Sequence, residues 1–363
     1  MKKITRRSFL AAAGVSAAAL ALTACGGSSS SAAASSTASS AASAAGSAAA
    51  DGQSYTVGIC QLVEHAALDA ATQGFEDALT EAFGDNVKFD FQNAQNDSAT
   101  CATIANGFVS AGVDLIMANA TPALQAAQAA TNSIPILGTS VTEYGVALGL
   151  TDFDGTVGGN VSGTSDLAPL DQQAEMITEW LPDVKKVGLL YDVGQDSSTK
   201  PIADAKAYLE AKGIEVIERT GTTVDEVTLA AKALVSDGVQ AVFTPTDNTI
   251  MKSELSIYEI FADAKIPQYA GADSFALNGA FLGYGVDYIK LGVETANMII
   301  DIMINGKDPA TTPVLMFDNG TATINTEICA KLGYNFDEVS KLFAPKCTEV
   351  KNIVTAESFD EAK

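Results

Sequence analysis

From residue 54 onward, short runs rich in β-branched and aromatic residues alternate with longer stretches whose apolar positions recur at helical spacing. The first series reads "YTVGICQ" before 66–83, "VKFDFQ" before 98–111, "DLIMA" before 122–131, and then "PILG". A turn-rich stretch, 150–168, interrupts the alternation. It then resumes with "KVGLLY" before 198–212, "IEVIE" before 223–237, "AVFTP" before 249–264, and "IPQYAG". Strands that alternate with helices predict parallel sheets covered on both faces. About 310 residues are large for one core and natural for two. The expected class is therefore α/β, with two doubly wound parallel-sheet lobes.

The pattern is different at the start of the chain. "MKKITRR" is a basic segment and "FLAAAGVSAAALALTA" a weakly apolar run of roughly 16 residues, too short to span a bilayer. Residues 1–24 read as a signal peptide, and "LTAC" ending at Cys25 resembles the lipobox at which bacterial lipoproteins are cut and lipidated. "TRRSFL" resembles a twin-arginine export signal, although arginine pairs also occur in general-secretory signals. Residues 25–53 then form the lipidated cysteine and a Ser/Ala linker, of which 26–50 contain only Gly, Ser, Ala and Thr and so have no large apolar side chain to offset the entropy of ordering. As a flexible tether it would span about 25–30 Å. Stable anchoring requires two or more acyl chains on Cys25. The expected location is extracytoplasmic, held to the cell membrane through that cysteine.

Charge removes several classes of partner. The formal charge is −23, and cleavage takes away Lys2, Lys3, Arg6 and Arg7, so the mature chain carries −23 − 4 = −27. Nucleic acid is excluded as a general partner. Arg219, in "GIEVIERTG", is then the sole arginine, so a bidentate clamp on phosphate is not available at the strand ends. Cys60, Cys101, Cys329 and Cys347 show no C-x-x-C spacing and His65 is the single histidine, so no metal and no cofactor are expected. Cys329 and Cys347 could pair or remain free thiols.

In doubly wound sheets, ligands sit beyond the carboxyl ends of the strands. Those positions here are 61–65, 93–97, 119–122, 139–142, 164–166, 191–194, 244–248 and 271–274. The segments "VGICQLVEHAALDAATQGFEDAL", "VKFDFQNAQND", "VDLIMANATPALQAA", "NVSGTSDL", "VFTPTDNTI" and "GYGVDYIKLGVETANM" resemble the ABC-transporter substrate-binding lipoproteins of the tryptophan/tyrosine-binding type. The resemblance spans roughly residues 54–330. It implies a type I periplasmic-binding-protein fold joined by a three-segment hinge, with lobes of 54–164 plus 285–310 and 165–284 plus 311–363. It also implies a monomer that captures a small molecule by cleft closure and delivers it to an ABC permease. Two departures stand out: Ala66 replaces a usual Pro after the histidine, and "VTEYGVA" (141–147) replaces a usual Thr-Asp-Pro turn.

The candidate ligand contacts are Glu64, His65, Thr121, Thr139, Ser140, Thr164, Ser165, Tyr191, Asp247, Asn248 and Asp273. His65 with Glu64 and Asp69 is no catalytic cluster, since no nucleophile with an orienting partner and no G-x-S-x-G elbow accompanies it. It reads either as a contact to ligand or the opposite lobe, or as a helix start. Thr121 is the expected N-cap of a helix with Pro122 at its first position. The free N–H groups there, with the hydroxyls of Thr139 and Ser140, could receive a carboxylate. Asp247 and Asp273, at neighbouring strand ends, could receive an ammonium group or merely cap helices. Asp287 reads as a cap at an interlobe crossing, and Trp180 as packing. Tyr144, Tyr191, Tyr269, Phe275 and Tyr284 could stack on a ring. The resulting expectation is a non-enzymatic binding protein for a small zwitterionic, amino acid-like molecule, which the resemblance implies is aromatic. A sugar or nucleoside carrier, or a ligand-presenting sensory co-receptor, are the alternatives.

Overall fold

The computed structural model describes residues 54–168, 170–317 and 320–362. Cys25, the expected signal peptide 1–24 and the whole of the expected linker 25–53 lie outside them. The first lobe begins β1 (Tyr55–Gln61), α1 (Ala66–Phe83), β2 (Val87–Asn93), α2 (Ser98–Ala111), β3 (Leu115–Asn119) and α3 (Thr121–Ala130). It continues with β4 (Ile136–Val141), α4 (Tyr144–Ala147) and β5 (Val161–Ser165). The chain then crosses into α5 (Leu170–Trp180), β6 (Lys186–Tyr191), α6 (Asp196–Ala211), β7 (Glu215–Thr220) and α7 (Val224–Ser236). That lobe proceeds through β8 (Ala241–Thr244), α8 (Asn248–Asp263), β9 (Gln268–Ala272), α9 (Asp273–Leu277) and β10 (Leu282–Val286). The remainder is α10 (Tyr288–Met303), β11 (Leu315–Met316), β12 (Thr321–Asn325), α11 (Thr326–Leu332), α12 (Phe336–Phe343) and β13 (Glu349–Ile353).

The two sheets run β11-β5-β4-β3-β1-β2 and β13-β12-β10-β9-β8-β6-β7. All pairings are parallel except β10 with β12, which is antiparallel. Sheet membership shifts the expected lobe boundaries. Ser165 still belongs to the first sheet, Val286 ends a strand of the second, and β11 pairs with β5 in the first. The three crossings therefore follow residues 165, 286 and 316 rather than 164, 284 and 310. A two-residue strand carries too little pattern to be seen in sequence.

The second crossing is fixed by close helix packing. Cβ atoms placed on Gly74 and Gly292 would lie 2.2 and 2.0 Å from the carbonyl oxygens of Ile289 and Ala71. Glycine at both sites lets α1 and α10 approach backbone to backbone. One apolar cluster then joins Ala67 and Ala71 of α1 through Tyr288 and Leu291 to Ala272 and Phe275 of the second lobe. Trp180, as expected, packs edge-on against Tyr334 at 5.1 Å.

The second lobe buries an acid in its core. Glu254 on α8 is fully buried and accepts a 2.9 Å hydrogen bond from Gln268 Nε2, with Glu254 Oε1 lacking a partner among the described residues. Burial pushes its carboxyl up to about 8. A raised carboxyl pKa means the folded state keeps a proton the unfolded chain has lost, so stability falls as pH rises from the unfolded value of about 4.3 to about 8. Glu254→Gln should abolish this loss, gaining on the parent by up to about 1.4 kcal/mol per pH unit across that window. Urea denaturation at pH 5, 6.5 and 8 checks it; a constant difference between the two proteins would refute the buried-acid account.

Candidate functional site

The facing edges of the lobes form the site. In the first lobe Gln61, Thr72 and Asn119 interlock. Thr72 Oγ1 donates to Gln61 Oε1 at 2.7 Å, and Asn119 Nδ2 donates to Leu68 O at 2.9 Å and Thr72 Oγ1 at 3.0 Å. Gln61 Nε2 also donates to Asp69 Oδ1 at 2.6 Å, so Asp69 has a local partner. This network holds the start of α1 against the ends of β1 and β3.

Backbone strain marks the next two strand ends. Ala120 has φ 95° and Ser140 φ 54°, conformations that cost a non-glycine residue about 1–3 kcal/mol each and concentrate at functional sites. Ala120, not Thr121, is the N-cap of α3, and it contributes no side-chain cap. The expected capping role for Thr121 is therefore corrected: a proline-containing first turn begins one residue earlier, which leaves its hydroxyl uncommitted. Thr121 Oγ1 and Ser140 Oγ are buried without a hydrogen-bond partner among the described residues. So is Asn119 Oδ1. They lie on neighbouring strand ends, since Ala120 N donates to Thr139 O at 3.0 Å.

The other hydroxyls of that lobe have structural partners. Thr139, Thr164 and Thr295 of α10 form a buried triangle of hydroxyls at 2.8 to 3.3 Å. Ser165 Oγ donates to Thr142 O at 2.7 Å. These bonds tie β4, β5 and α10 together beneath the cleft and remove Thr139, Thr164 and Ser165 from the uncommitted set.

His65 lies at the seam between the lobes. Its Nδ1 accepts from Leu68 N at 3.4 Å and its Nε2 meets Asn248 Oδ1 of the second lobe at 3.1 Å. An accepting Nδ1 assigns the proton to Nε2, which donates to Asn248. Asn248 in turn donates to Gln195 Oε1 at 3.1 Å. Burial lowers the imidazole to about 4, with Lys252 acting in the same direction, so the ring is neutral at physiological pH. Both readings of His65 thus hold at once, a helix start and a contact with the opposite lobe. A second bridge, Thr142 Oγ1 to Thr246 Oγ1 at 3.3 Å, and an outer one, Gln125 Nε2 to Asp196 Oδ2 at 3.0 Å, also join the lobes. Glu64 beside His65 is exposed.

In the second lobe the two expected carboxylates part company. Asp247 is buried and caps α8, accepting from Thr249 N and Ile250 N at 2.9 and 3.0 Å through Oδ1. Its Oδ2 accepts from Asp192 N at 2.8 Å and Ser198 Oγ at 2.6 Å. Burial lifts the carboxyl to about 6 against four donors that favour the anion. With both oxygens engaged, Asp247 is corrected to a structural role. Asp273, at the first position of α9, has an unpartnered buried Oδ1, and burial together with the nearby Asp287 pushes its carboxyl up to about 8.

Asp166, just past β5, supplies the carboxylate that the strand-end pattern undervalued. It is buried, its Oδ2 accepts from Tyr288 OH at 2.7 Å, and its Oδ1 has no partner among the described residues. Burial raises its pKa. The negative charges of Asp166 and Asp273 both act on Tyr288 and raise its phenol well above the usual range, after burial. Ser274 Oγ, next to Asp273, is also buried and unpartnered. A cavity of about 10 Å³, room for little more than a water molecule, lies between the lobes beside this group, walled by Thr142, Asp166, Ala168, Gln173, Thr246 and Gly271. Asp287 caps α10, accepting from Lys290 N at 3.1 Å, and pairs with Lys351 at 3.2 Å at the second crossing, as expected of it.

The aromatic candidates are distributed elsewhere. Tyr144 donates to Thr164 O at 3.1 Å within the first core, while Tyr269 and Tyr284 belong to the second. Tyr191 donates to Glu218 Oε2 at 2.7 Å in an outward-facing pocket with Lys206. Phe275 alone of the five joins the interlobe cluster, where Tyr288 is its neighbour in the set. No group of three or more potential metal ligands occurs among the described residues.

Two α/β lobes linked by three crossings, with polar side chains buried unpaired at their facing strand ends, define a two-lobed small-molecule-binding protein of the type I periplasmic-binding-protein fold. A family profile described as ABC transporter substrate binding protein matches residues 56–345, and the chain belongs to that family. Its members bind rather than catalyse and work outside the cytoplasm with an ABC transporter. A tyrosine-binding protein of Clostridioides difficile (strain R20291) is 37% identical over 305 residues, 83% of this chain and 86% of the relative. Among solved structures, an ABC domain in complex with L-Trp from Streptococcus pneumonia is 32% identical, with a TM-score of 0.75 over 82% of this chain and 100% of that one. The ligand-free, open structure of a Clostridium difficile substrate binding protein with adhesive properties is 35% identical, with a TM-score of 0.63 over 83% and 100%.

Proposed function

We propose that this chain is a lipid-anchored component that captures an aromatic amino acid by closing its two lobes and delivers it to an ABC importer. The carrying observation is the set of buried, unpartnered polar atoms at the seam: Thr121 and Ser140 hydroxyls from one lobe, and carboxylate oxygens of Asp166 and Asp273 at the hinge and in the other. Buried polar atoms without partners are costly and rare. A zwitterion would satisfy both kinds, its carboxylate on the hydroxyls and the first-turn N–H groups of α3, its ammonium on the aspartates. Bound ligands of two relatives, tyrosine and tryptophan, support an aromatic side chain. Closure is supported by the bridges from His65 to Asn248 and Thr142 to Thr246, and by the higher TM-score with the L-Trp complex, 0.75, than with the open relative, 0.63.

Native mass spectrometry of protein purified without denaturation tests the reading: a retained adduct should have the mass of an aromatic amino acid. A purified protein that neither retains nor binds any aromatic amino acid in calorimetry would refute it. The anchor has its own prediction. Cys25→Ser should release the processed protein from the membrane while leaving ligand affinity unchanged, as fractionation and calorimetry would record. Membrane retention of that variant would refute lipidation at this cysteine.

A further inference from the structure

Cys60 and Cys101 lie far apart in sequence and meet in the fold. On β1, Gly58 and Cys60 point to the same face because side chains alternate along a strand. A Cβ on Gly58 would fall 2.7 Å from the ring of Phe108, which is seated on α2 over that strand position. Cys101 lies seven residues before Phe108, on the same face of α2. The helix runs back across the sheet, so two turns toward its start bring Cys101 over the carboxyl end of β1, where Cys60 is found. The two thiols are close enough to shift each other's ionisation, and both side chains are fully buried in one apolar cluster with Phe108 and Ala118.

Two thiols in contact invite a specific chemistry in a family that works outside the cytoplasm, where disulfides persist. We propose that Cys60 and Cys101 are joined in the exported protein by a disulfide formed during folding, clamping α2 onto β1. The inference rests on the extracytoplasmic location of the family, not on the identity of the ligand. The oxidant is a disulfide, either a small organic disulfide or the oxidised form of a protein dithiol. The Cys101 thiolate attacks one sulfur of that disulfide and expels the other as a thiol. The Cys60 thiolate then attacks the Cys101 sulfur of the mixed disulfide and expels the second thiol. Two thiol protons and two electrons pass to the oxidant, which leaves as two thiols. In the docked fold the contact between the two thiols lowers Cys101 and raises Cys60, but before docking neither thiol has that partner, so the same exchange balances equally with Cys60 as the first attacking thiolate. In the finished fold neither sulfur reaches solvent, so exchange precedes the docking of α2 and the product is then shielded from reductants.

The bond faces the cleft through its neighbours. Gln61 follows Cys60 and carries the network to Asn119, and Asp97 caps the first turn of α2 by accepting from Thr100 N at 2.6 Å. Clamping β1 to α2 therefore stiffens one wall of the site.

The test is a non-reducing peptide map of full-length protein recovered after export, with free thiols alkylated during denaturation. The expected result is a peptide pair joining Cys60 to Cys101 that separates on reduction, with Cys329 and Cys347 alkylated. The unfolding midpoint should fall by about 6 °C when a dithiol reductant is present throughout unfolding, a shift absent from the Cys60→Ala/Cys101→Ala double variant. Alkylation of both Cys60 and Cys101 in the exported protein would overturn the proposal whatever the double variant does. Ligand binding is not part of the readout, so failure here leaves the proposed function standing.

Discussion

Asp273→Asn and Asp166→Asn should each weaken binding of a free aromatic amino acid by about 2–5 kcal/mol, from roughly thirtyfold to several thousandfold. Asp166 is buried and Asp273 half-buried, and the Oδ1 atom of each is buried without a hydrogen-bond partner among the described residues. Burial, with the nearby Asp287, pushes Asp273 up to about 8, so the empty acid is largely protonated at pH 7. On the proposed function, a ligand ammonium would supply positive charge in place of that proton. The one cation acting on Asp273 is Lys351, which is paired with Asp287 at 3.2 Å. A purely anionic ligand would meet repulsion on approach to a mature chain of strongly negative charge. Calorimetry with the free amino acid, its N-acetyl form and its amide isolates the effect. The N-acetyl compound should bind the parent as weakly as the free amino acid binds the asparagine variants, and the amide should retain the ammonium-dependent part. Equal affinity for free and acetylated compounds, with both variants binding like the parent, would show that the ammonium is not read here.

The regular elements were legible because their periodicity is strong. The runs at 55–61, 66–83, 98–111 and 186–191 match β1, α1, α2 and β6 to the residue. Elements with little apolar content escaped: β5 is "VSGTS", and β11 has two residues, so neither offers an alternating face. That omission displaced the lobe boundaries. Within the site, sequence located the strand ends but could not distribute the hydrogen bonds among them. Thr139, Ser140 and Thr164 are equivalent as letters; only Ser140 has a left-handed backbone and an unpaired hydroxyl, whereas the two threonines close on Thr295, more than a hundred residues away. Tyr288 carried no signal because its role is to reach Asp166 across two crossings. The pairing of Cys60 with Cys101 was invisible for the same reason, since the sheet order β3-β1-β2, and not any spacing motif, brings them together. The sequence did carry one usable sign of Asp166: it directly follows the strand that precedes the first crossing, where the chain passes between lobes.

The contrast between Asp273 and Asp247 separates binding from folding. Asp247→Asn should lower the stability of the unliganded protein by about 2–4 kcal/mol. The carboxylate gathers four donors at 2.6 to 3.0 Å from three separate stretches of chain, the start of α8, the backbone of Asp192 and the hydroxyl of Ser198. An asparagine can accept at one oxygen only. Its amide hydrogens would face either the first-turn N–H groups of Thr249 and Ile250 or the N–H of Asp192, so at least one buried donor loses its acceptor. The helix also loses a negative charge at its amino end, where the dipole favours one. Asp247 has no free oxygen for a ligand, so the folded variant should bind an aromatic amino acid within about threefold of the parent, well under the 1.4 kcal/mol that a tenfold change represents. Asp273→Asn should do the reverse, because it removes an acid whose charge is opposed by burial and by Asp287, relieving the unliganded fold while removing the ammonium partner. Urea denaturation of both variants without ligand, set beside their calorimetric affinities, measures the two effects independently. A large affinity loss in Asp247→Asn with unchanged stability would assign the ammonium to Asp247 and overturn the division of labour argued for these two residues.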